Sequence, residues 1–209
     1  NVKGFLAQCL VSVDRAIKNC SESSGQKDAV EVFVVDNISV DGTTEMVKTK
    51  FPWVKLIENT ENVGFSIANN QAIKLSEAKY ILLLNPDTVV QEDTFTECMA
   101  FADATPQLGC MGVPMFDGTG TFLPESKRGI PTPWASFCRI SGLFRLAPGS
   151  ENFNSYYAGH LSANEINKIE VLCGAFMWMR RETLLEVGLL DEDFFMYGED
   201  IDLSWRIIK

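Results

Sequence analysis

Asp87 closes the most telling stretch of the chain, Tyr80-Ile81-Leu82-Leu83-Leu84-Asn85-Pro86-Asp87-Thr88. A carboxylate beyond the carboxyl end of a buried strand can hold a hard divalent cation against a substrate phosphate. It can equally open a turn and cap the next helix, and the residues alone leave both readings open. Val34-Val35-Asp36-Asn37 repeats the arrangement. There Asp36 can accept from a pyrimidine imide or ribose hydroxyls, or fold back into an Asx turn. Asp41-Gly42-Thr43 reads as a turn and helix cap. Asn62-Val63-Gly64-Phe65 and Asn69-Asn70 follow. Two adjacent amides in an apolar helix suggest that one faces a ligand or loop, while at least one makes a structural hydrogen bond.

The stretch from Asp191 to Arg206 packs carboxylates and aromatics around Gly198. The glycine permits a sharp turn, so Glu199 and Asp200 fall at a helix N-terminus. Dipole compensation alone accounts for acids there, at under about 1 kcal/mol when exposed. Aromatic walls beside a carboxylate also desolvate a general base. Asp202 and Arg206 stand four apart, the spacing of a helical ion pair, and Arg206 is alternatively long enough to reach a diphosphate.

These groups need a scaffold, and the apolar patterning supplies one. Helical spacing runs from Gly4 to about Lys18, and a polar linker from Ser21 to Lys27 leads to a strand at Glu31–Val35. Helices are expected at 41–50, 65–76 and 92–104, and strands at 54–58, 80–84 and 110–115. Leu82 and its neighbours show no polar alternation, as in strands covered on both faces. The alternation implies right-handed crossovers and a mostly parallel mixed α/β sheet flanked by helices. From Phe116 to Asn167 glycines and prolines punctuate the chain, giving a loop-rich lobe over one side of the sheet. A strand at Val171–Met179, a helix at 181–187 closed by Gly188 and a last helix from Glu199 complete the pattern.

At 209 residues and 46% apolar content the chain suits one folded domain. Eighteen cations against 28 acids give a net charge of −10, with no basic stripe, which argues against nucleic acid as a partner. A polyanionic nucleotide would need a metal ion or local arginines. The six cysteines form no Cys-x-x-Cys pair and read as free thiols of a reducing compartment, hence a cytoplasmic protein. No apolar run approaches the roughly 20 residues that span a bilayer. Abrupt ends suggest a piece of a longer protein, so peripheral attachment to the inner face of a membrane stays open. His160, without a partner pattern, reads as a surface residue, and Trp178 as core.

Taken jointly, Val35-Asp36-Asn37 with Ser39 to Thr43, Asn62-Val63-Gly64-Phe65, Leu84-Asn85-Pro86-Asp87-Thr88, Gly174-Ala175-Phe176 and Phe195 to Arg206 resemble glycosyltransferase family 2. The likeness covers nearly the whole chain and is greatest to the rhamnosyltransferase-like branch. It implies a GT-A fold and an inverting transfer from a nucleotide-sugar donor, dTDP-rhamnose or a UDP-sugar. The implied acceptor is a glycan or lipid-linked saccharide of cell-envelope polysaccharide synthesis, and the implied cofactor Mg2+ or Mn2+. Residues 1–115 would bind the nucleotide sugar, and 116–209 would serve the acceptor and catalysis. Asn1 would be the remainder of a Tyr-Asn pair ending a first strand. By the same resemblance Asp200 is the catalytic base with Glu199 beside it, and Asp87 is the metal ligand. Asp36, Asn37, Asn62, Gly64, Asn69, Asn85 and Arg206 are expected around the nucleotide. Asn85 departs from the family pattern by replacing the first acid of the Asp-x-Asp motif.

Two other enzyme classes fit less well. An aspartyl phosphotransferase wants a second acid two residues on, where Ile38 stands, and the Gly-x-Gly-x-x-Gly of a dehydrogenase does not occur. The non-enzyme alternative is a catalytically inactive nucleotide-sugar or glycan binding module.

Overall fold

A computed structural model describes residues 1–25 and 30–209, so the end of the expected linker, Gln26 and Lys27, lies outside the described residues. Helix α1 (Lys3–Ser24) runs past Lys18 because Cys20, one turn beyond Ala16, continues its buried face. Gly25 stops it in the left-handed conformation, donating its N–H to Ser21 O at 3.0 Å. Strand β1 (Phe33–Asn37), helix α2 (Thr43–Lys50) and strand β2 (Lys55–Asn59) form a parallel crossover unit, with Phe33 opposite Lys55 and Asn37 opposite Asn59. Asp41 caps as expected, accepting from the Thr43 N–H at 3.1 Å and its hydroxyl at 2.5 Å.

Helix α3 (Phe65–Leu75) leads to strand β3 (Tyr80–Leu84), and α4 (Thr94–Ala104) to the short strand β4 (Cys110–Met111). Pro114, lacking an N–H, keeps β4 from reaching Met115. Strand β5 (Phe176–Arg180) returns between β3 and β4, antiparallel to both. Helices α6 (Arg181–Val187) and α7 (Glu199–Ile208) follow. The mixed α/β class is as the sequence indicates. Its parallel share is smaller than strand–helix alternation suggests, because β5 enters the sheet against its neighbours.

Alternation along β3 and β5 divides the core. Ile81, Leu83, Met177 and Met179 face a cluster with Ile73, Leu184, Leu190 and Leu203. Phe176 and Trp178 face the opposite cluster, built with Cys9, Val13, Ala16 and Cys20 of α1 and Phe95 and Cys98 of α4. Leu6 and Leu10 of α1 pack with Met46, Val47, Phe51 and Val54 around the β1–β2 unit. All six cysteines are free, and burial pushes the Cys110 thiol up to about 11. The lobe after β4 holds one helix that the sequence pattern does not announce, α5 (Pro133–Ser141). The Thr132 hydroxyl accepts its Ala135 N–H at 3.1 Å, Pro133 sits in its first turn, and left-handed Gly142 ends it.

Candidate functional site

Two groups of candidate residues form, one at the carboxyl ends of β1 and β2, the other around the end of β3. In the first, buried Asp36 accepts the Ser39 N–H at 2.9 Å, the Asx turn that the sequence offered as its alternative role. Asn37 donates to Gly64 O at 3.2 Å and accepts from the Asn59 amide at 2.8 Å, tying both strands to the start of α3. Asn62 Oδ1 accepts the Gly64 N–H at 3.1 Å. Gly64 is held at φ 84° with the Phe195 carbonyl against it: a Cβ there would lie 2.7 Å from that oxygen. The same carbonyl accepts the Phe65 N–H at 2.7 Å.

The loop before α7 therefore bridges the two groups. Its other anchor is buried Asn70, which donates to Leu190 O (2.8 Å) and Glu192 Oε1 (3.0 Å) and accepts from the Leu190 N–H (3.2 Å). This is the structural amide of the Asn69-Asn70 pair. Asn69 donates to Phe65 O, four residues back in its own helix, at 2.8 Å.

In the second group, the Asn85 N–H donates to Ala175 O at 3.0 Å, which sets the Asn85-Pro86-Asp87 corner beside Gly174-Ala175. Gly174 in turn adjoins Asp200, and its N–H donates to Asp200 Oδ2 at 3.3 Å. A Cβ on Gly174 would stand 3.6 Å from the Asp200 Cβ, an ordinary contact, so tight packing does not require this glycine. Gly198, at φ 100°, lets α7 begin, and a Cβ on it would meet the Phe194 ring at 2.9 Å. Glu199 and Asp200 follow in the first turn of α7. Two of the residues held at positive φ without being glycine, Ile38 (61°) and Tyr197 (68°), flank the two groups. Such strain persists only where surrounding structure enforces it, and it concentrates at sites.

Asp200 has a partner that the sequence reading missed. Its Oδ2 forms an ion pair with Arg128, both side chains being only 14% exposed, and its Oδ1 accepts the Ile201 N–H at 2.8 Å. Arg128 also donates to Leu172 O at 2.6 Å, and its Nε makes no hydrogen bond among the described residues. The neighbouring Lys127-Arg128 pair in the lobe is the one signal that sequence alone held for it. Glu199 is 6% exposed, and its Oε2 is likewise without a hydrogen bond among the described residues. Burial first, then the charge of Asp200, raises the Glu199 pKa. Of the aromatics around Gly198, Phe195, Tyr197 and Trp205 face solvent, while Phe194 is half-buried with its ring against Gly198.

Arg206 lies apart from both groups. It pairs with Asp202 (Nε–Oδ2 2.8 Å) and donates to the carbonyls of Val187, Gly188 and Leu189, closing the end of α6. Its guanidinium is thus occupied by the ion pair that its spacing announces. Asp87 is exposed and Asn85 half-buried. No group of three or more His, Cys, Asp or Glu is poised around a metal among the described residues. One carboxylate and one amide oxygen are nonetheless hard donors of the kind Mg2+ and Mn2+ take, when a bound diphosphate and water complete the shell.

A family model described as Glycosyl transferase family 2 matches residues 1–188. The N-acetylglucosaminyl-diphospho-decaprenol L-rhamnosyltransferase of Mycobacterium tuberculosis is 27% identical over 191 residues, covering 86% of this chain and 61% of that protein. The crystal structure of S. aureus TarS superposes with a TM-score of 0.61 at 18% identity, over 99% of this chain and 52% of that one. The mannosyltransferase PcManGT from Pyrobaculum calidifontis, in complex with GDP-Man and Mn2+, does so with 0.54 at 19% identity, over 92% and 48%. The fold is that of the GT-A glycosyltransferases.

Proposed function

This chain belongs to glycosyl transferase family 2, and we propose that its protein is an inverting hexosyltransferase moving a sugar from a nucleotide-diphosphate donor to an acceptor hydroxyl. The observation that carries the reading is the convergence of the Asn85-Pro86-Asp87 corner, Gly174 and Asp200 through the hydrogen bonds to Ala175 and from Gly174. Residues 1–115 are the donor half and 116–209 the acceptor and catalytic half of one transferase domain. dTDP-rhamnose is the favoured donor, on the strength of the rhamnosyltransferase relative, with a UDP-sugar as the alternative. That relative's name supports a lipid-linked saccharide acceptor.

Asp36, beside the Asn37–Gly64 corner, receives the base or ribose. Asp87, with Asn85, holds a divalent cation, which when bound neutralises charge developing on the leaving diphosphate. Asp200 accepts the proton of the acceptor hydroxyl as that oxygen attacks the anomeric carbon from the face opposite the diphosphate. For this the hydroxyl must displace Arg128 from Oδ2, or enter beside Oδ1. Arg128 and the Gly174 N–H hold the same carboxylate oxygen until then.

The engagement of Asp200 by Arg128 also favours a second reading, an inactive binding module. The test is transfer by the full-length protein with magnesium or manganese, set beside Asp200→Asn. Turnover in the first and a loss of at least about a thousandfold in the second, with nucleotide binding retained, is expected. Equal turnover in the two proteins removes Asp200 as the base. Donor binding without turnover in either selects the binding module.

A further inference from the structure

Helix α5 buries Ala135 and Cys138 and turns Trp134, Phe137 and Ile140 outward, three residues apart along one exposed arc. Ile140 is 87% exposed, and Leu146, just beyond the helix, 82%. Trp134 stacks on Phe137 at 5.7 Å between ring centroids and leans on Phe153 at 6.2 Å, so the three rings form one apolar patch. Its charge runs against that of the chain. Between Glu125 and Glu151 there is no acid, and of the four cations there Arg128 is paired with Asp200 and Lys127 donates to the Ala158 and Leu161 carbonyls, which leaves Arg139 and Arg145 for this face, in a protein of net charge −10. Arg139 and Arg145 are exposed beside the apolar face, Arg139 lying over the Tyr156 ring at 4.3 Å.

From this we infer that α5 and the turn after it form a docking surface for an anionic lipid bilayer. An amphipathic segment with aromatic and aliphatic side chains on one side and arginines at its flank lies in the headgroup region, where both groups are satisfied. Aliphatic Ile140 and Leu146 favour lipid over a sugar ring, which stacks on aromatics. The surface is joined to the acidic pair through few contacts: Arg139 rests on Tyr156, whose carbonyl accepts the Gly129 N–H at 3.1 Å, next to Arg128 and its partner Asp200. Docking would present a membrane-borne acceptor to Asp200, a consequence that rests on the transferase reading, whereas the docking itself does not.

The experiment is sedimentation of the full-length protein with vesicles of phosphatidylcholine, alone or with phosphatidylglycerol, alongside donor binding as a control. Partitioning at least tenfold stronger on the anionic vesicles is expected, falling with added salt. Replacing Phe137, Ile140 and Leu146 together by Ser should lower it at least tenfold, and Arg139→Gln with Arg145→Gln about fivefold per charge. Melting temperature and donor binding should hold, since these side chains are exposed. Equal partitioning on both vesicles, none on either, or partitioning unchanged in the triple variant overturns the inference. Retention on a glycan matrix that the triple variant loses, without vesicle binding, reassigns the face to sugar.

Discussion

Asp200 and Glu199 are consecutive, yet their surroundings give them different work. Asp200 has its oxygens occupied by Arg128, the Gly174 N–H and the Ile201 N–H, while one Glu199 oxygen is buried with no hydrogen bond among the described residues. A carboxyl whose pKa is raised by burial keeps its proton in the folded chain after the unfolded chain has released it. Stability contributed by the protonated form is therefore lost as pH rises through the raised value of Glu199. Glu199→Gln cannot titrate. The melting temperature of that variant relative to the parent should climb as pH rises above the ordinary carboxylate range. A gap independent of pH there would mean that Glu199 does not carry the linkage.

At the level of elements, the two candidate groups are held together by the loop from Leu190 to Gly198, pinned by Asn70 and by the approach of Phe195 to Gly64. Alanine at Gly64 must combine positive φ with a Cβ 2.7 Å from the Phe195 carbonyl, so the loop must shift. Gly64→Ala should cost about 1–3 kcal/mol in urea unfolding and weaken donor binding. Gly174→Ala meets only ordinary contacts at 3.6 Å, so its unfolding midpoint should stay close to that of the parent. Equal stability losses for the two would show that the Phe195 approach does not hold Gly64. Two-sided burial of β3 was readable from its unbroken apolar run, but strand direction was not. Such a run reports coverage on both faces, and β5, more than ninety residues later, decides which way the neighbour runs. Helix α5 had its signals in Thr132, Pro133 and Gly142, obscured by the prolines around them.

Across the whole molecule, the chain carries a net charge of −10, so the polyanionic donor of the proposed function would need a divalent cation for much of its electrostatic match. In a thermal-shift series on the full-length protein, a nucleoside diphosphate should raise the melting temperature with manganese or magnesium. The rise should vanish with chelator or in Asp87→Ala. A shift of equal size without metal would take Asp87 out of that role. By itself the sequence indicated the family through the resemblance of its joint motifs, together with the mixed α/β class and the positions of Asp36, Asp87 and Asp200 at or near element ends, while for Arg206 it left both an ion pair with Asp202 and a diphosphate contact open. These follow from local spacing, from apolar runs and from turn residues, all within short reach along the chain. Tertiary structure alone decided that Arg128 meets Asp200, that Phe195 closes on Gly64, and that Asn70 rather than Asn69 clamps the loop. Those contacts join residues dozens to more than a hundred positions apart, and nothing in local periodicity records which distant backbone a side chain will face.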